Sequence, residues 1–204
     1  MAKAWILAGA TATGKTATAN ELARRTGSIL VSADSMQIYK GMHIASAAPD
    51  REEMKGIPHH LIEFLEPTET FSVADYVNLG HEKIKEIREK GKQPVLVGGT
   101  GLYFNSLVDN VSFVSEKVNN ALRQTLDAEF DKVGGEEMLK RLEEFDSITA
   151  KTLHPNNKKR IIRAFEIYKT TGKTMSQQQK ESKSVPSPYK PYIIGLTFKN
   201  RELL

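Results

Sequence analysis

Near the N-terminus the apolar run Ala4-Trp5-Ile6-Leu7-Ala8 empties into Gly9-Ala10-Thr11-Ala12-Thr13-Gly14-Lys15-Thr16, and Ala17 to Ala23 follows as a good helix former. Strand, G-x-x-x-x-G-K-T and helix in that order are the context in which this pattern cradles phosphates. Gly9 and Gly14 let the backbone curl so that successive N–H groups face inward, a concavity suited to an anion. The helix N-terminus adds partial positive charge. Lys15 adds a full one, and the Thr16 hydroxyl is placed to ligate a Mg2+ ion shared with the phosphates. A loop of this kind specifies a polyphosphate, ATP or another, and constrains the chain to an α/β architecture.

Length and composition narrow the class further. At 204 residues the chain is one large domain, or one domain with a small insert, and can bury a core without disulfides. Cysteine is absent, which excludes thiol catalysis, zinc thiolates and a disulfide framework. The N-terminus runs straight into the first strand with no signal-peptide pattern, and no apolar run approaches the ~20 residues of a membrane helix. A cytoplasmic protein with no membrane partner is expected. A net charge of +4 permits a nucleic-acid partner without requiring one.

Along the chain, Ser28 to Ala33 reads as a second buried strand and delivers Asp34-Ser35-Met36-Gln37. In open α/β sheets ligands gather at strand C-termini, which puts Asp34 on the rim of the phosphate loop. Pro58 to Phe64 reads as a third strand. Its paired His59 and His60 would point to opposite faces, so they are not expected to share an ion. Ser72 opens a helix, with Asp75 in the capping box, that stops at Gly91. Gln93 to Val97 forms the next strand and ends in Gly98-Gly99-Thr100-Gly101-Leu102-Tyr103. A P-loop NTPase usually ends such a strand in an acid that helps hold magnesium. Here two glycines allow a close backbone approach, and Thr100 offers a hydroxyl.

The texture changes after Ser112. Asn119 to Val133 and Glu136 to Phe145, around Gly134-Gly135, read as an antiparallel helix pair beside the sheet. Asn156 or Asn157 can cap a further helix in which Ile161, Ile162, Phe165 and Tyr168 fall on one buried stripe. Lys159, Arg160 and Arg163 cluster on it, and no acid occurs between Lys151 and Phe165, as in a patch for a polyanion. Met175 to Pro191 reads as a polar, mobile connection. Tyr192 to Phe198 is a last strand, and Asn200 to Leu204 looks like the first turn of a helix, as in a polypeptide that continues. The fold class expected is therefore α/β: a P-loop NTPase-like parallel sheet flanked by helices (residues 1–111 and 183–204), with a small helical insertion (residues 112–182).

Several motifs in order resemble the tRNA dimethylallyltransferase (tRNA isopentenyltransferase) family. They are the phosphate loop, Ser32 to Met42, Pro58-His59-His60-Leu61-Ile62, Phe71 to Asp75, Leu96 to Tyr103, and His154 through Ala164. The resemblance implies transfer of a dimethylallyl group from dimethylallyl diphosphate to the exocyclic amine of the adenosine 3′ of the tRNA anticodon. It implies that residues Gly9, Ala10, Thr11, Ala12, Thr13, Gly14, Lys15 and Thr16 hold the diphosphate, with Mg2+ on Thr16. Asp34 is then the general base, Thr100 a donor to the bridging oxygen, and Lys15 the catalytic cation. Asp34, Ser35, Met36 and Gln37 would read the flipped base, and Arg123, Lys159, Arg160, Ile161, Ile162 and Arg163 would meet the anticodon loop. A monomer is expected.

This sequence departs from the family pattern in three places. Gly-Pro-Thr is Gly9-Ala10-Thr11, and Gly-Thr-Ala-Lys is Ala45-Ser46-Ala47-Ala48, which lacks a basic residue. The family's further diphosphate arginine lies beyond Leu204. The competing reading is a P-loop nucleotide or small-molecule kinase, which accounts for Lys15, Thr16 and Asp34 but not for the Gly98-Gly99-Thr100 strand end. A non-catalytic RNA-binding protein accounts for the basic helix and leaves the phosphate loop idle.

Overall fold

A computed structural model describes residues 2–113 and 119–198. The chain divides into two compact units, one of residues 1–111 and 185–204, the other Ser112–Ser184.

In the first unit, strand β1 (Ala2–Gly9) leads through the glycine loop into α1 (Lys15–Thr26). Then come β2 (Ile29–Ser32), the short helices α2 (His43–Ser46) and α3 (Arg51–Met54), and β3 (His59–His60). Helix α4 (Val73–Glu89), β4 (Pro94–Gly98) and α5 (Gly101–Val108) follow. The last strand, β5, is Tyr189–Leu196. The sheet order is β3-β2-β4-β1-β5, and every pairing is parallel. Apolar residues alternate between its faces. Ile6, Val31 and Leu96 pack with Tyr76, Ile84 and Leu107 of α4 and α5, while Leu7, Leu30 and Val95 pack with Ala19 and Ala23 of α1. Ser72 opens α4 with a reciprocal capping box to Asp75.

Three sequence expectations are corrected here. The strand read over Pro58 to Phe64 pairs only at His59–His60, because Leu61 and Glu63 turn the backbone into positive φ (60° and 50°). Glu63 N–H then donates to Gln37 O at 2.9 Å and Phe64 N–H to Ile38 O at 3.0 Å, so the segment braces residues 37–40 instead of extending the sheet. The polar stretch read as a mobile connection begins with a helix, because Thr174 and Gln177 form a capping box. The last strand, read over Tyr192 to Phe198, starts earlier and ends earlier, at Tyr189–Leu196, and lies at the sheet edge with Tyr192, Ile193 and Ile194 exposed.

The second unit is helical: α6 (Asn120–Val133), α7 (Gly135–Phe145), α8 (Ser147–Thr152), α9 (Lys158–Thr171) and α10 (Met175–Ser182). Asn119 caps α6 through Leu122 N–H, whereas Asn157 occupies the cap position of α9 without a side-chain bond. Leu126, Met138, Leu142, Ile161, Ile162 and Phe165 form its core. Tyr168, expected inside, is 39% exposed and stacks on Phe145 at 4.2 Å. Buried Asp146 accepts from the Thr149 hydroxyl at 2.6 Å and from Ser176 N–H at 3.0 Å, which ties α8 to α10. The helix start read at Asn200–Leu204 lies outside the described residues. Among the described residues no helix is long and apolar enough to cross a membrane.

Candidate active site

The glycine loop supplies the first wall of the site. Gly14 (φ 80°) and Ala12 (φ 66°) hold left-handed backbone, easy for glycine and strained for alanine, and this curls the loop over the start of α1. The Ala10 carbonyl oxygen accepts from the Thr13 hydroxyl at 2.8 Å and from Lys15 Nζ at 2.6 Å, so the lysine lies folded across its own loop. Burial pulls the Lys15 pKa below its ordinary value, and the nearby Asp34 carboxylate partly offsets that.

Asp34 stands at the end of β2. Its Oδ1 accepts from Met36 N–H at 3.0 Å, a local turn that fixes the carboxylate at the rim. Beneath it, buried Tyr76 donates its hydroxyl to Ser32 O at 3.2 Å and stacks on Tyr103 at 3.9 Å. Helices α4 and α5 thereby hold the strand end in place. β4 arrives alongside: a Cβ on Gly98 would lie 2.2 Å from Ala33 O, an approach only glycine permits. Thr100 N–H donates to Ala33 O at 3.1 Å, and the Thr100 hydroxyl accepts from Ser35 N–H at 3.0 Å. The ends of β2 and β4 are thus joined by two hydrogen bonds and a close glycine contact.

Lys15, Thr16, Asp34 and Gln37 open on one cavity of about 620 Å³. The cavity runs on along α1 past Asn20, Glu21 and Arg24, and the facing wall comes from Ser46, Ala47, Glu53, Lys55 and Ile57. This second half was not foreseen. A signal existed, since Thr16, Asn20 and Arg24 recur every four residues and continue the loop's face down the helix. Gln37, expected to read a base, has both ends of its amide engaged: Ser32 donates to it at 3.0 Å and it donates to Ala47 O at 3.1 Å. Met36 is exposed at the rim. His59 Nδ1 lies 2.8 Å from Ile57 O, and burial lowers the pKa of both His59 and His60. Among the described residues no group of three or more His, Cys, Asp or Glu could hold a metal ion.

In the helical unit the basic residues of α9 have different fates. Lys159 and Arg160 are exposed and make no ion pair among the described residues. Arg163 Nη1 lies 3.5 Å from Glu166, and Arg123 clamps the same buried carboxylate through two bonds of 2.7 and 3.0 Å. These bonds, above all those from Arg123, hold the Glu166 carboxyl below its usual range. Arg123 is therefore committed to joining α6 to α9. Ile161 and Ile162, proposed from the resemblance as RNA contacts, are buried at 0% and 5% exposure. Their side chains fill the core because α9 turns its apolar stripe inward, so they offer RNA no side-chain surface.

Parallel sheet, glycine loop at the β1–α1 turn and a carboxylate at the end of β2, across β4 from β1, define a P-loop NTPase-like α/β protein. Residues 37–204 match the family model described as IPP transferase, and the chain belongs to that family. It is 46% identical over 200 residues to the tRNA dimethylallyltransferase of Caldanaerobacter subterraneus subsp. tengcongensis, covering 98% of this chain and 64% of the relative. It is 44% identical over 192 residues to that of Bacillus subtilis, covering 94% and 61%. Among solved structures, the full-length tRNA isopentenylpyrophosphate transferase of Bacillus halodurans superimposes with a TM-score of 0.61 at 40% identity, covering 96% of this chain and 60% of that one. A eukaryotic dimethylallyltransferase acting on tRNA superimposes at 0.80 with 26% identity, covering 100% and 50%. The chain spans less than two thirds of the length of these relatives.

Proposed function

We propose that this chain carries the reaction centre of a tRNA prenyltransferase, which moves a dimethylallyl group from dimethylallyl diphosphate onto the exocyclic amine of the adenosine beside the anticodon. One observation carries the reading. A phosphate loop and a carboxylate without an ion-pair partner among the described residues, Asp34, open on the same cavity, while the adjacent strand ends in Gly98-Gly99-Thr100 and not in an acid. A kinase uses such an acid for its metal. A transferase of this kind needs instead an acceptor for an amine proton.

The chemistry follows from the residues. The new bond joins the adenine nitrogen to the carbon of the dimethylallyl group, and the bond from that carbon to the diphosphate oxygen breaks. The diphosphate leaves with the electron pair, stabilised by the loop N–H groups and Lys15. The amine is a poor nucleophile because its lone pair is delocalised into the ring, so Asp34 takes its proton. The Thr100 hydroxyl accepts from Ser35 N–H and donates to the Ser35 hydroxyl at 3.3 Å in this structure, and it redirects that donated bond to the bridging oxygen. The Thr16 hydroxyl at the start of α1 would hold a Mg2+ ion beside the diphosphate. Such an ion would neutralise charge on the leaving group. The target base must leave its stack to enter. Lys159 and Arg160 meet RNA phosphates, and the protein works as a monomer in the cytoplasm.

Incubating the protein with unmodified tRNA and labelled dimethylallyl diphosphate, beside an ATP hydrolysis assay, tests this reading. Label on that adenosine is the expected outcome. ATP turnover at roughly 1–100 per second without label transfer would return the protein to the kinase class.

A further inference from the structure

The 620 Å³ cavity carries six charged side chains, and sorting them by partner shows which are available to a ligand. Arg24 binds Glu21 through two bonds of 2.9 and 2.8 Å, and Arg25 adds a third at 2.5 Å. Those bonds pull the Glu21 carboxyl down to about 2, so it stays ionised and occupied. Glu53 accepts from Asp50 N–H at 3.1 Å in the capping box of α3. Lys15, Asp34 and Lys55 remain. Lys55 makes no ion pair or side-chain hydrogen bond among the described residues.

The direction of Lys55 is set by local structure. Asn20, buried in α1, donates from Nδ2 to Glu53 O at 2.5 Å and pins α3 against that helix. Lys55 closes α3 as its C-cap in left-handed backbone (φ 50°), with its N–H donating to Glu52 O at 3.2 Å. The turn aims its side chain at the cavity wall facing α1. Two ammonium groups without an ion-pair partner among the described residues, Lys15 held only by the Ala10 carbonyl, are the complement of a polyanion.

We propose that Lys55 is a second cationic contact for the diphosphate, working from the opposite wall to Lys15. This rests on the phosphate-loop reading above and adds a residue to it. A diphosphate carries more negative charge than Lys15 alone can offset.

The test is calorimetric titration of the protein with inorganic pyrophosphate at two salt concentrations, and with an anticodon stem-loop RNA. Lys55→Gln should weaken pyrophosphate about tenfold, as for a charge-assisted contact softened by solvent, and flatten its salt dependence. Lys55→Arg should restore most of the affinity, while RNA affinity hardly changes. Unchanged melting temperatures will show that the variants fold. Pyrophosphate binding that survives in Lys55→Gln but is lost in Lys15→Ala would overturn the proposal and leave the phosphate-loop reading intact. A loss confined to RNA would equally overturn it. A wild-type protein that does not bind pyrophosphate would overturn both.

Discussion

Lys15 Nζ and the Ala10 carbonyl oxygen are 2.6 Å apart, a hydrogen bond that closes the phosphate loop on itself. An arriving diphosphate must exchange that bond for its own oxygens. Burial favours the neutral amine, which lowers the pKa of Lys15, while Asp34 pulls it back up.

The sign of the pH effect follows. Diphosphate needs the charged lysine, and as pH rises that form is lost sooner than in an ordinary lysine, whose pKa is about 10.4. Pyrophosphate affinity should therefore fall as pH rises toward that value. In Asp34→Asn, which removes the charge that raises Lys15, the fall should begin at lower pH. Lys15→Ala should lose roughly 10- to 150-fold, the worth of a charge-assisted bond. Calorimetric titration across this range checks all three, and an affinity flat with pH would remove Lys15 from the phosphate site.

Asp34→Asn keeps the turn to Met36 N–H, since an amide oxygen accepts as a carboxylate does. It cannot take a proton at neutral pH. Transfer should fall roughly 100- to 10,000-fold, with tRNA and diphosphate affinities near wild type below the pH where Lys15 titrates. Single-turnover measurements isolate the step. A defect relieved by raising magnesium would make Asp34 a metal ligand, and a normal rate would leave it a structural turn residue.

Gly98→Ala places a methyl group 2.2 Å from the Ala33 carbonyl oxygen, where only backbone can move. β2 and β4 must separate at the point where Asp34 and Thr100 are held. A loss of about 1–3 kcal/mol is expected, seen as a melting temperature lower by roughly 3–10 °C. At Gly99 the nearest atom is 3.4 Å away, so Gly99→Ala should be milder. Equal melting curves for both variants would show that the close approach is dispensable.

Lys159→Glu with Arg160→Glu changes two exposed side chains of α9 and leaves its buried stripe alone. Binding of an anticodon stem-loop should weaken, and the slope of log affinity against log salt should shrink by about 1.4, two single-strand phosphate contacts at 0.7 each. Pyrophosphate binding should not change. An unaltered salt slope would make this helix face an ordinary solvated surface.

Much of this protein is written locally. The phosphate loop, the α4 cap at Ser72 and the buried strands around Val31 and Leu96 depend on neighbouring residues and short periodicities, so the chain declares them in order. The same holds for Ile161 and Ile162, whose helical spacing placed them inside; assigning them to RNA by resemblance ran against that local signal. Local patterns also marked Asp34 and Gly98-Gly99-Thr100 as strand ends worth attention.

Distance along the chain hides the rest. β3 stops at His60 because Glu63 N–H is claimed by Gln37, a partner no local pattern names. Arg123, half exposed, is tied by two bonds to Glu166, forty-three positions away, because the fold buries that carboxylate beside it. Lys55 faces the cavity of Lys15 only because Asn20 pins α3 to α1. Sequence alone thus determined which chemical groups are present and which segments are regular. Tertiary structure decided which charges are already paired, since a buried carboxylate or carbonyl takes whatever donor the fold brings to it.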